Sequence, residues 1–372
     1  MKKNHNLNLN DLSESLKKYL YTLQKNNQFE FLPMNYPDLV YGSKLNLGFS
    51  CFAIKSFYIM GETENFSNSK LTNWAKYINS YQVDEYPYVK GSFVDQSLVD
   101  YYNNEKKLLT SIKDIGKKGI NRFTSKNYET NNLKLTKAIN AETKQAISTL
   151  YQIGFKNEII LDNPYSSNID ILNYLHHSLN WKYPWNAGAQ FASLCVYSAT
   201  QNYEYELILS NFIKKLVDKD TGSYFSSYPT HPREIINGAM KVISGLDWID
   251  HEIHYPKQLI DFCLSNKPIF EGCDIVDFVY VLHKCSNMTD YRNEEIKEYF
   301  YEILELIQTL YVENQGAFSY FRNSSQTYYY GVNISSGSNI ADIHGTTLII
   351  WALAMIFETC EIEDFQWKIL KP

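Results

Sequence analysis

A single unit recurs along the chain: an amphipathic helix, a polar turn with Gly or Asn ahead of an aromatic residue, a loop, and a second helix rich in small and apolar residues. A unit of this kind cannot bury its apolar surface alone, so the copies must stack on one another. The first copy pairs residues 12–23 with 48–61, across a turn at 24–29. In the second, 71–81 and the turn Lys90-Gly91-Ser92-Phe93 lead through a long connection to 142–154. The third pairs 169–179 with 187–200, and the fourth pairs 206–217 with 233–248 across Asp220-Thr221-Gly222-Ser223-Tyr224-Phe225. The fifth pairs 256–264 with 274–284, and the sixth pairs 294–311 with 344–358 across Asn314-Gln315-Gly316-Ala317-Phe318.

Within each pair one helix is apolar almost all round, as at 346–353, and the other has a polar face, as at 294–299. That contrast assigns inner and outer positions. Six such pairs predict an all-α fold, a single (α/α)6 toroid over 1–372, with a long inserted connection at about 94–141. The insert is expected to carry a helix at 98–113, and the aromatic and β-branched run 326–332 is expected to form a short hairpin. Glycine after a helix suits these turns because it accepts the left-handed conformation that other residues resist.

At 372 residues with 44% apolar, 15% aromatic and 20% charged residues, the chain can bury a large core. A formal net charge of −6 offers no basic surface, so nucleic acid is not an expected partner. No apolar run is long enough for a membrane span and no secretory leader is recognisable, which sets a cytoplasmic expectation. The six cysteines are scattered without CxxC spacing, so reduced thiols and no cysteine-rich metal site are expected. Nothing in the sequence names a cofactor.

The turns Asp220-Thr221-Gly222-Ser223-Tyr224-Phe225 and Gln315-Gly316-Ala317-Phe318, with the small-residue helix around Asn237-Gly238-Ala239, resemble the repeats of the terpenoid cyclase and protein prenyltransferase toroid family. The segment Asp342-Ile343-His344-Gly345-Thr346-Thr347 is similar to the start of that family's last inner helix, which implies a zinc-ligand position for His344. Val276-Asp277-Phe278-Val279 is similar to its Val-Asp-x-Cys ligand segment, with Val279 where the family has cysteine, so no metal site is assigned. Asp274-Ile275-Val276-Asp277 also resembles the DxDD acid motif of squalene-type cyclases, with Val276 at its central aspartate. The resemblance implies Asp277 as general acid or metal contact, with Asp274 and His344 as partners.

Other candidates follow from position, because inner-helix starts turn side chains and backbone N–H groups toward a central cavity. These are Trp185, Asn186 and Gln190; His231, Arg233, Glu234 and Asn237; Asp274 and Asp277; and Asp342 and His344. Tyr329, within Tyr328-Tyr329-Tyr330, adds an aromatic surface suited to sugars or isoprenoids. Asp274 and Asp342 precede helical runs and have helix capping as an alternative role, and His344 has that of a hydrogen-bonded core histidine. His176 and His177 belong to an outer helix and are expected at the surface. Three readings of function stand side by side. The first is an isoprenoid-handling enzyme. The second is a carbohydrate-active toroid in which Glu234, Arg233, His231, Asp277 and His344 converge and Trp185 stacks on sugar rings. The third is a binding module without catalysis. A dry aromatic cavity would favour the first, and one rimmed by carboxylates and arginine the second.

Overall fold

The computed structural model describes residues 9–104, 130–229, 231–267, 272–362 and 367–372. It is 58% helix and 6% strand. Among the described residues no helix is long and apolar enough to cross a membrane.

The amphipathic series consists of α1 (Leu9–Thr22), α4 (Asn68–Asn79), α7 (Asn168–Asn173, continued by a π turn at Tyr174–Ser178), α9 (Glu206–Leu216), α11 (Pro256–Ser265) and α13 (Asn293–Gln308). In α13 the buried positions Ile296, Tyr299, Phe300, Ile303, Leu304 and Ile307 follow the helical period, and Glu294 and Glu295 complement the helix dipole in its first turn. The buried series consists of α3 (Leu47–Ile59), α6 (Asn131–Gln152), α8 (Pro184–Gln201), α10 (Pro232–Trp248), α12 (Cys273–Ser286) and α14 (Ile343–Thr359). Two further short helices, α2 (Val40–Lys44) and α5 (Gln96–Asn104), lie in the connections. Starts are set locally: Ser67, Thr130, Ser167 and Asp342 accept hydrogen bonds from the first turns of α4, α6, α7 and α14. Proline opens α8, α10 and α11, where its missing N–H costs nothing.

Contacts among the buried helices run in a closed series, α3 to α6 to α8 to α10 to α12 to α14 and back to α3. The last contact includes a 2.8 Å hydrogen bond between the Ser56 and Thr347 hydroxyls. α8 and α10 make the most extensive contact, and it runs through small residues: a Cβ on Gly238 would stand 2.6 Å from Pro184 Cβ, and one on Gly245 2.9 Å from Ala192 Cα. The amphipathic helices pack on the buried ones, α4 against α3 and α6, α9 against α8, α11 against α12, and α13 against α12 and α14, while α1 meets α3 through Tyr21 and Phe57 and the π turn after α7 meets α8 through Tyr174 and Gln190.

The repeated turns share one geometry. Antiparallel pairs Gln24 with Phe31, Gln82 with Phe93, Val217 with Tyr224, and Tyr311 with Phe318 close four of them, and the second member of each pair, Phe31, Phe93, Tyr224 or Phe318, is fully buried. Gly91, Gly222 and Gly316 supply the positive φ in three of these turns. The strand residue then ties to the following buried helix: Phe93 N donates to Thr143 Oγ1 at 3.0 Å and Phe318 N to Thr346 Oγ1 at 3.2 Å. In the first turn the equivalent aromatic is Phe31, two residues beyond the one the sequence suggests.

Two expectations are corrected. The second buried helix starts at Asn131 rather than 142, because Thr130 caps it and Leu135, Ala138 and Ile139 already face the core. Residues 131–141 therefore belong to the helix and not to an inserted connection. The helix expected at 98–113 is α5 at Gln96–Asn104 as far as the described residues extend, and its remainder lies outside them. The short hairpin forms, with Tyr328–Tyr329 paired to Val332–Asn333. His176 and His177 are exposed, and all six cysteines are free thiols.

Candidate active site

A cleft of about 860 Å³ opens at the N-terminal ends of α8, α10 and α12. Its walls carry Trp185, His231, Arg233, Glu234 and Asp274, five of the residues singled out by position. They are joined by Lys182, Tyr183, Tyr228, Lys267 and Phe321. Tyr183 and Tyr228 present 59% and 66% of their surface, so two aromatic faces are free to receive a ligand.

Arg233 organises the cleft. Its Nε donates to Asp274 Oδ1 at 2.7 Å, and its guanidinium lies 5.4 Å from the Trp185 ring centroid. Asn237, one turn further along α10, donates to the same carboxylate oxygen at 3.0 Å. Asp274 is 2% exposed and does not cap its helix, since Gly272 with φ +59° occupies the cap position. The capping alternative is thereby excluded for Asp274. Across the cleft, Glu234 Oε1 accepts the Trp185 backbone N–H at 3.1 Å, which ties the start of α8 to that of α10.

One turn below Asp274, Asp277 is fully buried. Lys241 Nζ approaches its Oδ1 at 3.4 Å, while Oδ2 has no hydrogen-bond partner. Burial pushes the Asp277 carboxyl up to about 6, against the pull of Lys241 and with the help of Asp274. His344 stacks on Phe52 at 4.4 Å between ring centroids and tilts against Tyr320 at 5.1 Å. Its Nδ1 has no partner, so it is not the hydrogen-bonded core histidine considered above. Burial, aided by Lys241, lowers it to about 3 and keeps it neutral.

The remaining candidates lie elsewhere. Asp342 is the cap of α14, and both its oxygens are taken by backbone donors: Gly345 N at 2.7 Å, Tyr320 N at 2.7 Å and Gln326 N at 3.1 Å. Burial raises it to about 6, opposed by those same bonds. That leaves it an architectural role in place of substrate contact. Asn186 opens onto a neighbouring crevice of about 560 Å³ beside Tyr330. Gln190 lines a small enclosed cavity with Tyr174 and Tyr197. Tyr329 is buried, packs on Phe49 at 5.1 Å and faces Glu142, away from the cleft. Glu142 is 1% exposed with neither oxygen hydrogen-bonded, and burial together with Asp95 holds its pKa well above the usual carboxylate range.

Lys241, Lys55 and Lys144 were not anticipated. Lys241 was accessible to reasoning, since it follows Arg233 and Asn237 on one stripe of α10. Tyr183, Tyr228 and Phe321 come from irregular segments where no period marks them. Among the described residues no group of three or more His, Cys, Asp or Glu side chains is arranged to hold a metal ion.

No family model matches the chain, and neither a curated protein nor a solved structure does. The chemistry of the cleft therefore has to be read from its own side chains.

One consequence is measurable at once. The folded Asp277 value of about 6 lies above the unfolded 3.8, so the native state holds this proton more tightly. The stability it contributes is complete below the unfolded value and is lost as pH rises through about 6. Asp277→Asn is expected to match the parent below pH 3.8 and to exceed it by about 3 kcal/mol above pH 7, measured by urea unfolding at both ends of this range. A variant no more stable than the parent above pH 7 would show that Lys241 fully compensates the buried charge.

Proposed function

We propose that the chain is an (α/α)6 toroid that acts on a carbohydrate at the cleft formed by α8, α10 and α12. The closed series of contacts among six buried helices, each preceded by an amphipathic one, supports the toroid. The observation that carries the function is the lining of the cleft: exposed aromatic faces stand beside both signs of charge. Sugar rings combine apolar faces that stack on aromatics with hydroxyls that need charged and polar partners.

In this reading Trp185, Tyr183 and Tyr228 are the stacking surfaces. Asp274, whose Oδ1 accepts from Arg233 and Asn237, is the base, and Glu234 is the acid. Lys182, His231 and Lys267 favour a glycan bearing carboxylates or sulfates.

The test is a panel of neutral and acidic polysaccharides, followed by reducing-end release and by absorbance of unsaturated uronates. Turnover on at least one glycan is expected, with kcat reduced about 100-fold or more in Glu234→Gln and KM raised in Trp185→Ala. Binding without turnover would select the non-catalytic module, and neither binding nor turnover would discard the carbohydrate reading.

An isoprenoid substrate is the second reading. It is favoured by the buried Asp277 acid beside the Phe52, His344 and Tyr320 rings. Against it stand Lys55, Lys144 and Lys241, on the buried helices α3, α6 and α10, whose ammonium groups would repel a carbocation. Incubation with C10–C30 isoprenoid diphosphates separates the two readings by product.

A further inference from the structure

Three lysines rise from three different buried helices: Lys55 from α3, Lys144 from α6 and Lys241 from α10. Apolar helices rarely tolerate such residues, since an ammonium ion deep in a protein is costly unless it is paired. Their pairing is incomplete. Lys55 Nζ donates to the Ser148 hydroxyl at 3.3 Å, and Lys241 Nζ reaches Asp277 Oδ1 and the Met240 thioether sulfur, each at 3.4 Å. Lys144 has no hydrogen bond or ion pair among the described residues.

The three groups also lie close to one another. Ser148, which holds Lys55, is one turn from Lys144 on α6, so the Lys55 and Lys144 side chains share one stretch of that helix. Lys144 is lowered to about 7 and Lys55 to about 8, in both cases by burial first, and for Lys144 by repulsion from Lys55 and Lys241 as well. Burial at these sites is not close packing, because Lys144 and Lys241 keep part of their surface accessible and therefore border open space. Among the described residues Asp277, on α12, is the one carboxylate paired with any of them, and the buried carboxyl of α6, Glu142, is coupled to Asp95 and Tyr329 instead.

We propose that Lys55, Lys144 and Lys241, with the Ser148 hydroxyl, bind a phosphate-like oxyanion, either free or as the phosphate group of a larger substrate. A doubly charged tetrahedral anion can pair with more than one ammonium group at once, as a single carboxylate does less well, and it would offset their mutual repulsion. The inference stands apart from the carbohydrate reading, since it concerns different side chains and a ligand that need not be a sugar.

Calorimetric titration of the full chain in a chloride buffer tests it, with inorganic phosphate in one arm and glucose 6-phosphate in the other. Binding is expected in at least one arm, weakened about tenfold or more by Lys144→Met and by Lys55→Met but not by the surface control Lys219→Met. Inorganic phosphate alone assigns the site to the free ion, and sugar phosphate alone assigns it to a substrate. Thermal unfolding supplies a second readout: Lys144→Met should be at least as stable as the parent without ligand and should lose the rise that ligand produces. The proposal is overturned by no binding above the chloride control in either arm, or by binding that both methionine variants leave unchanged.

Discussion

Asp342→Ala is expected to lower the unfolding free energy by about 4–6 kcal/mol, a large part of what a domain of ordinary stability possesses. The carboxylate is fully buried and receives the backbone N–H groups of Gly345, Tyr320 and Gln326, which belong to three different segments. Truncation orphans three buried donors at once, each costing about 1–3 kcal/mol, and partial relaxation returns some of this. Asp342→Asn should cost about half as much, since its amide oxygen can keep the Tyr320 and Gln326 bonds while its NH2 faces the Gly345 donor. Urea unfolding followed by circular dichroism measures both. An alanine variant within about 1 kcal/mol of the parent would mean that water enters and satisfies the three donors.

Gly238→Val is the second large effect, expected at about 3 kcal/mol or more. Even a single Cβ at this position would stand 2.6 Å from Pro184 Cβ and 3.0 Å from the Pro184 carbonyl carbon. The obstacle includes backbone at the start of α8, so no side-chain rotation relieves it. Gly188 faces the same crossing from the other helix, with a Cβ there 3.0 Å from Gly238 O. Forcing α8 from α10 would also stretch the bond from Trp185 N to Glu234, so the change should weaken the proposed glycan binding along with stability. A valine variant as stable as the parent would show that the two helices can separate without loss.

The helices were legible because burial imposes a period on them. The stripe of α13 and the all-round apolar character of α14 can be read directly from side-chain types. So could the cap at Asp342 and the proline starts of α8, α10 and α11. The start of α6 was not, since Asn131, Asn132, Lys134 and Lys137 mask the buried Leu135, Ala138 and Ile139. Helix starts also explain the part of the cleft that was legible: Trp185, Arg233, Glu234 and Asp274 all lie in first turns. The partnership of Arg233 with Asp274 spans 41 residues of sequence and depends on how α10 and α12 cross, which no local pattern encodes. Lys55 was visible as a charge within a largely apolar stretch, and that mismatch is the signal that a closer reading would use, whereas Lys144 is flanked by Glu142, Thr143 and Gln145 and carries no such mark.

The bond between Ser56 and Thr347 joins residues 291 positions apart, and it lies where the last buried helix meets the first. During synthesis α3 must therefore wait, apolar on nearly every side, until α14, whose Thr347 lies 291 positions beyond Ser56, has emerged. Contacts of such long range slow folding and leave sticky intermediates behind. Truncations before α14 should thus accumulate as aggregates or chaperone clients, and a nascent chain of this protein has no stable halfway point at which to pause.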